Sequence, residues 1–414
     1  MRLLFAWSAR KLQRFESANA RENGVQQTRQ NSHPEPGPFR AKDFNESTVC
    51  SLRSAEILRA SSSDALRMAW SVLARCTPAM FAVAAVLLAE AAGPLQLEMW
   101  HSHSWLCSLP QLEKLERSTD AMGATFSVAL YGSDRASMNG AVDAAFDEVH
   151  RLDALLSNYR PASDWSRINR EAAARPVTVS PELFRLLSDC IEYSRASDGT
   201  FDVTVGPLMR AWGFSGGDRR VPSPEEIREA LKLVGFQHVQ LDARRGTVRF
   251  DRPGVEIDPG GVGKGYAVDR MVEVLRARGI PNALVAASGS SIFGLGNPPE
   301  ESRGWLINIA DPWDHRKNAA QVFLKDMSLS TSGSYEKSFR VDGHRYSHIM
   351  DPRRGAPAER AVQVTVLAPR TIDSEVWAKP YFILGSAWTA ANKPKSWRVL
   401  YCENTPGAAC SWLE

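Results

Sequence analysis

Four glycines, one lysine and one carboxylate crowd the stretch Asp258 to Gly265, DPGGVGKG. Gly260, Gly261, Gly263 and Gly265 let backbone N–H groups approach an anion closely, and Lys264 adds a point charge among them. The apolar residues that follow, Ala267, Val268, Met271, Val272 and Leu275, recur at helical spacing. The turn therefore leads into the positive end of a helix dipole, where a phosphate-bearing ligand is the natural occupant. It is not a P-loop, because Gly265 rather than Ser or Thr follows Lys264, and the G-x-G-x-x-G spacing also fails. Alone, such a turn is as readily structural as phosphate-binding.

Four more polar clusters accompany it: Met122-Gly123-Ala124-Thr125, Asp198-Gly199-Thr200-Phe201-Asp202, Ser330-Thr331-Ser332-Gly333-Ser334-Tyr335 and Tyr346-Ser347-His348-Ile349-Met350-Asp351-Pro352. Singly they read as a turn, a helix stop and cap, a polar loop and a satisfied histidine.

The elements that must position these clusters alternate without a strict βα repeat. Residues 255–258 read as a short buried strand before the glycine turn, and TFDVTVGPLMRAWGF as a short strand with a Gly-Pro break. Ala141, Ala145, Val149, Leu152 and Leu156 mark an amphipathic helix, and SPELFRLLSDCIEYSRASDG a second that Gly199 stops. Ser223 before Pro224, with Glu226 three positions on, predicts a capping box. Further strands follow at ALVAA, WLINIAD, QVFLKDMSLSTSGSY and VQVTVLA, with a hairpin at Asp342-Gly343. TIDSEVWAKPYFILGSAW is a helix bent or shortened by Pro380. The whole predicts one α+β body.

The chain is 414 residues long, and its net charge of +3 argues for no nucleic-acid partner. Residues 1–67 are arginine-rich without periodicity and read as a disordered or spurious extension, with Met68 as the true start. Residues 68–92 have the anatomy of a signal peptide or membrane-anchor-like segment; 93–114 reads as a linker, and the folded domain as 115–414. The six cysteines show no zinc spacing. Cys402 and Cys410 would close a small disulfide loop in an oxidising compartment and stay free thiols in the cytosol.

In their joint order the five clusters resemble the flavin transferase family ApbE, whose members are FAD:protein FMN transferases. The resemblance spans roughly residues 115 to 402 and is carried by DGTFDVTVGPLMRAWGF, DPGGVGKGYAVDR and STSGSYEKSFRVDGHRYSHIMDPRRG. It implies a single ApbE-like (T-fold-like) domain of mixed sheets and helices. It also implies a chemistry in which FAD is split at its pyrophosphate, FMN passes to a Thr or Ser hydroxyl of an acceptor flavoprotein, and AMP leaves. Carried over by motif, Met122, Tyr159, Thr200, Phe201 and Asp202 hold the flavin and adenine ends. Asp258 and Lys264 hold polar groups at the turn, while His348 and Ile349 line the pocket. His348, Lys264 and Glu375 are the implied catalytic set. Magnesium is implied at the Gly261 carbonyl with side chains near the C-terminal helix, Glu375 first and Asp373 second. The resemblance also implies work on the periplasmic, outer face of the inner membrane, with membrane association.

This chain departs from the family pattern. Glu375 stands where the family has a metal-binding aspartate and Lys379 where it has a threonine, while Gly289-Ser290-Ser291 replaces Gly-Gly-Asp. These changes keep two alternatives beside the transferase: an FAD pyrophosphatase, and a degenerate flavin-binding protein without turnover.

Overall fold

Strict alternation sets the first hairpin, β1 (Glu113–Ala121) and β2 (Ala124–Gly132), in which Phe126, Val128 and Leu130 are completely buried. Met122 and Gly123 join them, both with positive φ (53° and 66°), the backbone of the tight turns that match strand twist. The computed structural model describes residues 112–414, within a unit that runs from Leu106 to Glu414. The expected extension (1–67), the signal-like segment (68–92) and most of the 93–114 linker lie outside the described residues; β1 already begins at Glu113.

The hairpin opens an eight-stranded sheet completed by β3 (Ala283–Ala287), β4 (Ser291–Leu295), β5 (Met327–Gly333), β6 (Ala361–Ala368), β7 (Arg398–Glu403) and β8 (Ser411–Leu413). Spatial order follows chain order, and every neighbouring pair is antiparallel. Between β2 and β3 come α1 (Arg135–Leu156), α2 (Asp164–Glu171), α3 (Pro181–Ala196), α4 (Gly206–Ala211), α5 (Pro224–Leu231) and α6 (Gly263–Ala277). Between β6 and β7 come α7 (Thr371–Leu384) and α8 (Ser386–Asn392). The predicted α+β class is what is found.

The apolar stripes read from the sequence bury as expected. Val142, Ala145, Val149 and Leu152 of α1 and Ala267, Val268, Met271 and Leu275 of α6 pack with Phe126, Val128, Leu130 and Val285 of the sheet. Each such side chain contributes about 1.5–3 kcal/mol. Under α7, Tyr381 and Phe382 meet Val364 and Val366 of β6. The next residues along β6 face the other way, where Leu367, with Leu329 and Leu400, is covered by the hairpin Trp305–Ala310 and Asn318–Leu324. All eight residues of β6 are therefore buried. The capping box at Ser223 and Glu226 is formed in both directions.

Three expectations need correction. Residues 255–258 join no ladder: the Ile257 N–H donates to the Asn169 side chain, and its carbonyl accepts from Trp165 Nε1 and Asn169 Nδ2. Side chains here satisfy the backbone that a partner strand would otherwise satisfy. Residues 200–205 are no strand either. The Asp202 carboxylate accepts from the Thr204 amide and hydroxyl and from the Phe236 amide, which folds a turn, and Pro207 sits in the first turn of α4 rather than breaking the chain. Finally, of the two alternatives for the Pro380 helix, bent or shortened, the shortened one is wrong: α7 runs through Pro380 to Leu384.

Candidate active site

The glycine turn is held from three sides. Asp258 caps it, accepting from the Gly260 amide at 2.7 Å and from Asn158 Nδ2 at 3.1 Å, and burial pushes its carboxyl up. The Phe201 ring lies under Gly261, and the Met122 side chain closes over Gly263. From the third side comes α7, whose buried Glu375 accepts from the Gly265 amide at 2.5 Å. Gly265 is required here: a Cβ would stand 2.6 Å from the Thr371 carbonyl oxygen.

Two lysines bond at this turn, and Lys337 and His348 lie within electrostatic reach of it. Lys264 Nζ donates to Ser290 Oγ at 2.8 Å, across to the β3–β4 turn. Lys379 Nζ donates to the Gly261 carbonyl at 2.9 Å and to the Glu375 carbonyl at 2.7 Å. Burial brings the Lys379 ammonium down to about 8, with Glu375 opposing and Lys264 adding repulsion. His348 Nδ1 lies 3.1 Å from the Lys337 carbonyl, which can only accept, so Nδ1 carries the proton and Nε2 keeps its lone pair. Burial first, and the charges of Lys337, Lys379 and Lys264 after it, bring His348 down to about 4, against the hydrogen bond to the Lys337 carbonyl, which raises it. The imidazole is therefore neutral at physiological pH, under the influence of three lysine charges.

Magnesium can be tested against these residues. The Gly261 carbonyl already accepts from an ammonium, and one Glu375 oxygen is taken by the Gly265 amide. Both Asp373 oxygens are held by Arg370 and one also by the Tyr193 hydroxyl, so its carboxylate is already engaged. The position of the family's acid on β4 is Ser291, buried and neutral. Among the described residues, no three His, Cys, Asp or Glu side chains gather as a cation site. The residues present do not fit a divalent cation at this turn.

The other expected residues divide. Tyr159 is 79% exposed, its ring open to a ligand. Thr200 and Asp202 are buried and bonded internally, Thr200 Oγ1 to the Ser197 carbonyl at 2.7 Å. Ile349 is buried in the core under α7, immediately behind His348. The sequence reading missed Lys337, Asn158 and Asp153. Lys337 acts on both Asp258 and His348. Asp153 accepts from the Met122 amide at 3.0 Å, fixing that turn to α1. A signal existed for two of them, since Lys337 lies inside the STSGSYEK block and Asn158 adjoins Tyr159.

The sequence profile of the ApbE family matches residues 122–399, from the Met122 turn to the start of β7. The chain belongs to the ApbE family. It is 33% identical over 286 residues to the FAD:protein FMN transferase of Salmonella typhimurium, covering 67% of this chain and 80% of that protein. The crystal structure of the ApbE protein of Thermotoga maritima superposes with a TM-score of 0.67 at 30% identity, covering 73% of this chain and 97% of that one. The apo Pseudomonas stutzeri flavinyl transferase ApbE gives 0.66 at 29% identity, over 74% and 96%. An ApbE glycine turn is thus joined here to a lysine on α7.

Proposed function

We propose that this protein is an FAD:protein FMN transferase, cutting FAD at its diphosphate and esterifying the FMN half to a Thr or Ser of an acceptor flavoprotein. The observation that carries the reading is the neutral His348, Nε2 lone pair exposed to chemistry, beside Lys264, Lys337 and Lys379 at the glycine turn. Helix first-turn amides have no partner within the helix. That of Gly265 goes to Glu375, leaving those of Gly263 and Lys264 for phosphate oxygens. Met122, Phe201 and Tyr159 supply apolar and aromatic surface for the rings.

The step follows from these parts. His348 Nε2 takes the proton of the acceptor hydroxyl as its oxygen attacks the FMN phosphorus. The bond from that phosphorus to the bridging oxygen breaks, and AMP departs with the electron pair. Negative charge growing on the bridging oxygen is met by the fixed ammonium groups and turn amides, so catalysis is positioning plus electrostatics. Lys379 stands on the carbonyl that a magnesium ion would use.

Export to the periplasm is part of the proposal, with membrane association through residues 68–92. The Cys402–Cys410 disulfide supports an oxidising compartment. Incubation with FAD and a threonine-bearing acceptor peptide tests the activity. Flavin fluorescence on the peptide with equimolar AMP is expected; free FMN would make the protein a pyrophosphatase, and intact bound FAD a binder without turnover.

A further inference from the structure

Among the described residues, Lys379 is the cation whose side chain bonds the backbone of the turn. Its Nζ reaches the Gly261 carbonyl at 2.9 Å and the Glu375 carbonyl at 2.7 Å, with Glu375 Oε1 4.0 Å away. An ammonium has three N–H donors, and these contacts use two. The third is left for a ligand oxygen, beside the amides of Gly263 and Lys264. A buried ammonium between a backbone carbonyl and a carboxylate has the donor environment of a small hard cation, but it is covalently attached and cannot be chelated away. The Lys379 side chain keeps 21% of its surface exposed, so this third N–H can be reached by a ligand from outside.

We propose that the Lys379 ammonium is a built-in cation of this flavin site, donating its third N–H to a diphosphate oxygen of FAD so that dinucleotide binding needs no divalent metal. The inference rests on the proposed FAD reading but makes a separate claim. One charge-assisted hydrogen bond of about 1.5–3 kcal/mol corresponds to roughly 10–100-fold in affinity.

The test is FAD affinity by calorimetry on the wild-type protein, in excess EDTA and again in excess Mg2+. Equal dissociation constants, within about twofold, are expected; a loss of about tenfold or more in EDTA overturns the inference. Lys379→Met is expected to weaken FAD by roughly 10–100-fold with no rescue by Mg2+. Lys379→Thr, which restores an oxygen and frees the Gly261 carbonyl, is expected to bind FAD more tightly when Mg2+ is added. A folded Lys379→Met that binds FAD like wild type, or a folded Lys379→Thr indifferent to Mg2+, also overturns it. If neither variant folds, the wild-type pair of titrations decides alone. Metal-free FAD binding without transfer would sink the transferase reading and leave this one standing, and metal-dependent binding with normal transfer would do the reverse.

Discussion

Replacing Gly265 with alanine should separate the contact between α6 and α7 on which the cleft depends. The new Cβ would lie 2.6 Å from the Thr371 carbonyl oxygen, 2.8 Å from Glu375 Oε2 and 2.9 Å from the Thr371 carbonyl carbon. Two of these atoms are backbone at the start of α7, so no side-chain rotation relieves them. Overpacking of this kind costs about 1–3 kcal/mol. Displacing Glu375 from the Gly265 amide forfeits a further ~1.5–3 kcal/mol, and the better helix propensity of alanine returns about 1 kcal/mol. The net is a destabilisation of about 3 kcal/mol, or a fall of roughly 1 M in urea midpoint at a slope of about 3 kcal/mol per molar. FAD affinity should drop with it, because Glu375 and Lys379 move together. Gly140→Ala is the internal control: it lies within α1, a Cβ there meets nothing within 4 Å, and it should be neutral or gain up to about 1 kcal/mol. Equal urea midpoints for the two variants would refute the packing argument.

Other consequences can be checked independently. With His348 held near 4, kcat/KM should stay flat from neutral pH down to about 5 and fall below that; an acid limb near 6.5, the ordinary imidazole value, would show that the site does not depress the histidine. Because that pKa is lower folded than unfolded, its stability contribution is present above about 6.5 and lost as pH falls toward 4, measurable as a falling melting temperature. His348→Ala should cut kcat by roughly 10²–10⁴ and leave FAD affinity within about threefold, as single-turnover kinetics and calorimetry would report. Lys264→Ala should instead weaken FAD by about tenfold, the loss of one charged contact. Cys402→Ser should cost about 2–3 kcal/mol of stability in denaturant titrations, since the loop closed is short, with FAD affinity unchanged.

What the sequence made legible was local. The glycine turn, the capping box at Ser223, the hairpin at Asp342-Gly343 and the stripes of α1 and α6 each depend on residues within one or two turns of one another. The errors came where distant side chains decide backbone conformation. Residues 255–258 carry the β-branched pattern of a strand, yet Asn169 and Trp165 bond the Ile257 backbone from 88 and 92 positions upstream. At the site, the substitution at residue 379 was visible in the sequence, but not that its ammonium bonds the Gly261 carbonyl. Asp373 looked like a spare ligand until Arg370 and Tyr193 were found holding it. Lys337 escaped because its effect on His348 is made through a hairpin whose two ends meet only on folding.

The central claim is that a neutral His348 in a lysine-lined cleft moves FMN from FAD to a hydroxyl. Mass spectrometry of a threonine-bearing acceptor, after incubation with FAD and wild-type protein, addresses it directly. The account predicts an acceptor carrying one FMN through a phosphoester, formed roughly 10²–10⁴-fold more slowly with His348→Ala. An unmodified acceptor with wild-type protein, or a modified one with His348→Ala at the wild-type rate, would contradict it.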